Sequence, residues 1–143
     1  MSEPAKTPPV RRVISDKVVE PDSATWSNCL VIGDEIVLSG MTAHPASREQ
    51  VLDTYSQTLV VLGKIGELVR AAGGDIGCIY KLVIYVKDIA DKEQVGRARR
   101  DFFGSTYPCS TLVGANALVF PELKVEVDAF ARLGVDVRQA TVS

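Results

Sequence analysis

The sequence predicts a single α+β domain: a mixed, mainly antiparallel β-sheet with two helices packed on one face. Three observations predict it: a hairpin signature over residues 29–39, two stripes of apolar residues at three- and four-residue steps, and alternating strands over 80–87 and 124–133. The hairpin runs Cys29 to Ile32, then Gly33-Asp34, then Glu35 to Ser39, with a glycine able to take the positive φ of a tight turn. Gly40 closes the second strand. Ser47 followed three residues later by Gln50 is a capping-box pattern, so a helix is predicted to start there. Val51, Tyr55, Leu59, Leu62, Ile65 and Val69 form its apolar stripe, and Glu49, Asp53, Gln57, Lys64, Glu67 and Arg70 occupy the other side. Gly63 and Gly66 each cost about 1 kcal/mol relative to alanine inside a helix, which close approach of a neighbouring backbone would explain. Gly73-Gly74 supplies the stop.

The next strand, Tyr80 to Lys87, places Leu82, Ile84 and Val86 on one face and Lys81, Val83, Tyr85 and Lys87 on the other. A second helix is predicted from about Asp91, its cap, to Phe103, with Val95, Ala98 and Phe102 as the buried stripe. Tyr107-Pro108 breaks it from two further strands, Ser110 to Ala115 and Lys124 to Leu133. In the last strand Val125, Val127, Ala129 and Ala131 alternate with Lys124, Glu126, Asp128, Phe130 and Arg132. Residues 1–20 read as a loose tail or edge strand, 21–135 as the domain and 136–143 as a C-terminal tail. Two helices cover one face of such a sheet, leaving the face with Tyr85 and Phe130 to be closed by a symmetric oligomer.

Composition narrows the function. Sixteen basic and 18 acidic side chains leave a net charge of −2, so no global field draws the chain to nucleic acid or an anionic membrane. The three cysteines are widely spaced beside a single histidine, which suits reduced thiols in a cytoplasmic protein. No apolar stretch approaches the ~20 residues of a membrane span. No phosphate loop, metal-ligand cluster or dinucleotide fingerprint is present, and no cofactor is expected. The partner expected is a small metabolite. Arg97, Arg99 and Arg100 read as the solvated face of the second helix, among Lys92, Glu93 and Asp101.

Four segments in order carry a resemblance that runs from about Trp26 to Leu133: GDEIVLSG, AAGGDIGCIYKLVIYVKDI, YPCSTL and KVEVDAFA. Together they resemble the Rid (reactive intermediate deaminase, YjgF/YER057c/UK114) family. The resemblance implies a chorismate-mutase-like fold, a homotrimer, and ligand clefts between subunits in which imines and enamines derived from amino acids are hydrolysed. In the deaminase branch an arginine follows the Pro-x of the turn and pairs with the substrate carboxylate, whereas this chain has Ser110 there. A hydroxyl donates one hydrogen bond and carries no charge, so the resemblance points to an arginine-lacking subfamily.

The same resemblance assigns Glu126 to the cleft, as the carboxylate that holds or activates water. With Asp128 it forms a pair on one strand face, about 6.5 to 7 Å apart at the Cα atoms, close enough for one pKa to rise. The alternative is that both solvate the strand beside Lys124 and Arg132. The backbone carbonyl of Cys109 is the second catalytic candidate, orienting water; its thiol lacks a base tied to it by any motif. Ser110, Thr111, Trp26 and Gly40 are the substrate-binding candidates: Trp26 replaces a ligand-contacting tyrosine of the deaminase branch, and Gly40 ends the SG step. Two functions stay open, an imine or enamine deaminase with a carboxylate-positioned water, and a non-catalytic metabolite-binding or regulatory trimer. A third, ribonuclease or translation inhibitor, calls for a basic, aromatic groove that this acidic chain does not advertise.

Overall fold

The structure, a computed structural model, describes residues 7–143; the expectation of a loose tail over residues 1–6 lies outside the described residues. In chain order the elements are β1 (Val10–Arg12), β2 (Cys29–Ile32), β3 (Glu35–Met41), a single-turn α1 (Ala46–Glu49), α2 (Thr54–Ala71), β4 (Ile79–Val86), α3 (Lys92–Phe103), β5 (Cys109–Gly114) and β6 (Val125–Arg132). The six strands form one sheet in the order β1-β2-β3-β6-β4-β5. Neighbours are antiparallel except β4 and β5, which are parallel and joined through α3. A parallel pair needs such a crossover, because no tight turn can return the chain to the same end of the sheet.

The predicted hairpin forms between β2 and β3, with Gly33 at φ +63° in its turn. Gly73, at φ +105°, follows the end of α2. The alternation read from β4 and β6 is also present: Leu82, Ile84 and Val86 are buried with Val125, Val127, Ala129 and Ala131. They meet Val61, Leu62, Ile65, Leu68 and Val69 of α2 and Val95 of α3 in one core. The opposite faces of both strands stay only half buried.

The first long helix starts later than its capping-box pattern predicts. The turn of α1 follows Pro45 and ends at Gln50, whose backbone is extended at φ −150° and ψ 156°. Helix α2 is instead capped by Asp53, whose carboxylate accepts the Ser56 N–H at 2.8 Å. A carboxylate at this position satisfies a free amide and favours the positive end of the helix dipole, so it fixes the start. Val51 consequently lies outside the stripe, 97% exposed.

Gln57 is a second correction: assigned to the polar side, it is 1% exposed. Its amide donates to the carbonyls of Leu52 and Glu122 and accepts the Lys124 N–H at 2.9 Å, so burial leaves no polar atom of its side chain unmatched. No neighbouring backbone approaches either glycine: a Cβ at Gly66 would stand 3.4 Å from the side chains of Phe102 and Ile76, and at Gly63 nothing lies within 4 Å.

Candidate functional site

The face of the sheet turned away from the helices carries the first group of site residues. Alternation along β6 puts Glu126 and Asp128 on it, and the β4–β6 register sets Tyr85 opposite Glu126 and Val83 opposite Asp128. The Tyr85 hydroxyl reaches diagonally and donates to Asp128 Oδ2 at 2.9 Å. On the other side of β6, the β3 register shifts between Leu38 and Met41. Gly40 lies in that irregularity, directly against the carboxylates: a Cβ there would stand 2.8 Å from Glu126 Oε2 and 3.1 Å from Asp128 Oδ1. The bare backbone of Gly40 is therefore the space in which the pair sits.

Burial and then the neighbouring Asp128 charge push the Glu126 carboxyl above its ordinary value of 4.5. The Tyr85 hydroxyl is also pushed up, first by its hydrogen bond to Asp128, so it stays protonated and remains a donor. A carboxyl that binds its proton more tightly folded than unfolded gives the folded state the greater proton uptake. Stability then falls as pH rises from 4.5 through the raised value. Glu126→Gln removes this dependence. The melting temperature of the variant minus that of the wild type is expected to grow from about pH 4 to about pH 8. A difference that stays flat with pH would show that Glu126 carries no such burden.

A second group sits at the sheet edge, two strands from Glu126. Ser110 pairs with the buried Leu82, which turns its side chain to the helix side, while Thr111 pairs with Val83 and turns to the carboxylate face. Thr111 Oγ1 accepts from Lys81 Nζ at 2.7 Å. Cys109 opens the strand, exposed and unpaired. Ser110 Oγ accepts from Arg99 Nη1 of α3 at 2.6 Å. Arg99 thus makes one exposed contact with β5 from the solvated face of α3, and Arg97 lies over the ring of Tyr55 at 4.2 Å.

Trp26 forms the third location. It is half exposed, its indole N–H donates to Asn28 Oδ1 at 3.1 Å, and it lines a shallow depression with Arg12, Ala24, Thr25 and Ser27. Two bonds tie that strap to the end of β3: the Ser39 N–H donates to the Asn28 carbonyl at 2.9 Å, and the Ser39 hydroxyl to the Ser27 carbonyl at 2.6 Å. His44 stacks on Phe120, with ring centroids 4.6 Å apart. Among the described residues no three His, Cys, Asp or Glu side chains are grouped to hold a metal ion, and no helix is long and apolar enough to cross a membrane.

Within one chain, then, Gly40 and Glu126 meet, joined by Asp128 and Tyr85, while Cys109, Ser110 and Thr111 are presented from the far edge. The sequence reading missed Tyr85 as the partner of Asp128 and Arg99 as the partner of Ser110. Tyr85 was accessible from strand alternation plus register. Arg99 was accessible from the crossover, because a helix linking two parallel strands must lie over both.

An α+β sheet with its helices packed on one face is an architecture with many solved relatives. The Endoribonuclease L-PSP family profile matches residues 18–133. The chain belongs to this family, also called Rid or YjgF/YER057c/UK114. The 2-iminobutanoate/2-iminopropanoate deaminase of Escherichia coli is 30% identical over 104 residues, covering 70% of this chain and 80% of the relative. A crystal structure of a Pseudomonas aeruginosa protein of unknown function is 50% identical, with TM-score 0.91, over 94% of this chain and 99% of that one. A Mycobacterium tuberculosis family member is 28% identical, with TM-score 0.75, over 87% of this chain and 100% of that one.

Proposed function

We propose that the protein hydrolyses the C=N bond of a small imine or enamine, in clefts formed between copies of the chain, with Glu126 handling the attacking water. The observation that carries this reading is the Glu126 carboxylate, set on the Gly40 backbone and made more basic by burial and by Asp128. A base whose proton affinity is raised toward neutrality is better matched to taking a proton from water and returning it. The similarity to 2-iminobutanoate/2-iminopropanoate deaminase supports the choice of substrate class.

In the proposed reaction the water oxygen bonds to the imine carbon as Glu126 accepts its proton, and the imine nitrogen takes up a proton. The resulting carbinolamine then collapses: Glu126 passes the hydroxyl proton to the nitrogen, the C–N bond breaks with its electron pair on nitrogen, and a ketone and ammonia are released. Cys109 is exposed at the start of β5, where its backbone carbonyl would orient the water from a neighbouring copy. Tyr85 holds Asp128 in place beside Glu126.

The test is competition for imines generated in place. An amino-acid oxidase produces 2-imino acids in semicarbazide, and the protein is added beside an arginine-bearing relative. Less semicarbazone in the presence of the protein is the expected result. No effect across several side chains would sink the reading for this substrate class. A second reading, a metabolite-binding trimer without turnover, is favoured by one observation: Ser110, a neutral hydroxyl, stands where the deaminase branch has arginine.

A further inference from the structure

Ser39 and Gly40 sit where β3 slips its register with β6, between Leu38 and Met41, so strand pairing alone does not fix the Gly40 backbone against Glu126. Upstream, the two bonds from Ser39 to the carbonyls of Ser27 and Asn28 tie the irregularity down. Downstream, the chain is held from another layer of the fold. Lys64 lies on the same row of α2 as Gln57, Val61 and Leu68, all buried, and is itself half buried. Like Gln57, it departs from the polar side of the helix on which the sequence placed it. Its Nζ donates to the Thr42 carbonyl at 2.7 Å and to the His44 carbonyl at 2.5 Å. Both acceptors are backbone, and among the described residues the ammonium pairs with no carboxylate. Burial pushes it below its ordinary value of 10.5, with no opposite charge to offset the loss of water. The segment it grips is short and enclosed: Met41 and Ala43 are buried, and the His44 N–H donates to Thr42 Oγ1 at 3.3 Å. Two bonds to carbonyls two residues apart hold the path of this loop and not only one point on it.

We propose that Lys64 is a positioning residue for Glu126: its grip on the Thr42 and His44 carbonyls secures the far end of the β3 irregularity and keeps the Gly40 backbone closed against the carboxylate. No room is left at that contact, since a Cβ on Gly40 would stand 2.8 Å from Glu126 Oε2. A closed backbone excludes water from one side of the carboxyl, and burial is the first cause of its raised proton affinity, ahead of Asp128. The groups facing Glu126 are Asp128 and Lys124 along its own strand, Tyr85 on β4 and the Gly40 backbone on β3. Lys64 acts through the last of these, because the neighbouring charge that raises Glu126 is that of Asp128. The proposal rests on the proposed function only for its effect on turnover; the placement of Gly40 is the same whether or not the site reacts with imines.

Lys64→Met keeps most of the stem and loses both bonds. In full-length protein carrying isotope-labelled glutamate, the carboxyl resonance that disappears in Glu126→Gln is followed by NMR as pH is varied. Its midpoint is expected to lie about half a pH unit or more lower in Lys64→Met than in the wild type, because water reaches a loosened carboxylate. Lys64→Arg, whose guanidinium can donate to two carbonyls, should restore it. Val61→Ala, on the same row of α2, leaves a cavity that destabilises the fold without touching the loop, and should leave the midpoint in place. An unchanged midpoint in Lys64→Met, an equal fall in Val61→Ala or no recovery in Lys64→Arg would each overturn the proposal. A base works only once deprotonated, so the pH at which kcat for imine hydrolysis rises should move down with the midpoint while KM stays in place. A wild type that turns over no imine, but whose midpoint still depends on Lys64, would overturn the deaminase reading alone. An unmoved midpoint in Lys64→Met beside normal wild-type turnover would overturn the Lys64 assignment alone.

Discussion

Glu126→Gln should abolish imine turnover, lowering kcat by about 10²- to 10⁴-fold, the range for losing a general base. Glutamine keeps the size and shape that fit against Gly40 but can take no proton from water. The loss should therefore fall on kcat, with KM and elution volume little changed. Steady-state rates in the semicarbazide competition assay, beside size-exclusion chromatography of both proteins, measure it. Undiminished kcat would remove Glu126 from the mechanism and return the carboxylate pair to a role in solvating the strand.

Gln57→Leu should be strongly destabilising although it lies outside the site. The buried amide joins α2 to the chain entering β6 by two hydrogen bonds, from its nitrogen to the Glu122 carbonyl and to its oxygen from the Lys124 N–H, and its nitrogen also donates to the Leu52 carbonyl. Leucine fills a similar volume, so little cavity is left. The backbone groups of Glu122 and Lys124 lose their partners, and each buried unsatisfied group costs about 1–3 kcal/mol. A total near 3 kcal/mol would lower the melting temperature by about 10 °C in a domain of this size. Thermal unfolding followed by circular dichroism reads it directly. A change of no more than a degree or two would mean that water replaces the amide.

These two residues show where sequence reasoning holds and where it stops. The strand carrying Glu126 was legible because alternation in β6 has one consistent solution, with four small apolar residues inward and the charges outward. Gln57 was misread because polarity was taken for exposure. An amide can be buried when its partners come from a loop 65 residues away, and no local pattern announces them. The start of α2 was displaced for a related reason: Ser47 and Asp53 both offer caps, and only packing decides that the helix begins at the second. At the site, Gly40 and Glu126 are legible in the sequence only as separate residues, because their contact depends on the irregular register of β3. Arg99 was dismissed with its neighbours because a run of arginines on a helix usually faces water. Its use is set by the crossover that brings α3 over β5.

That crossover also bears on the cooperativity of the fold. Helix α3 has only Val95 and Ala98 fully buried, and β5 is an edge strand with Leu112 as its main inward anchor. Strand β5 cannot return to β4 without the helix, so the two must detach and re-form together. They make a natural unit of local opening, less protected than the central strands β4 and β6. The Arg99–Ser110 hydrogen bond is the side-chain tie within this unit, a single exposed latch on the loosest margin of the sheet.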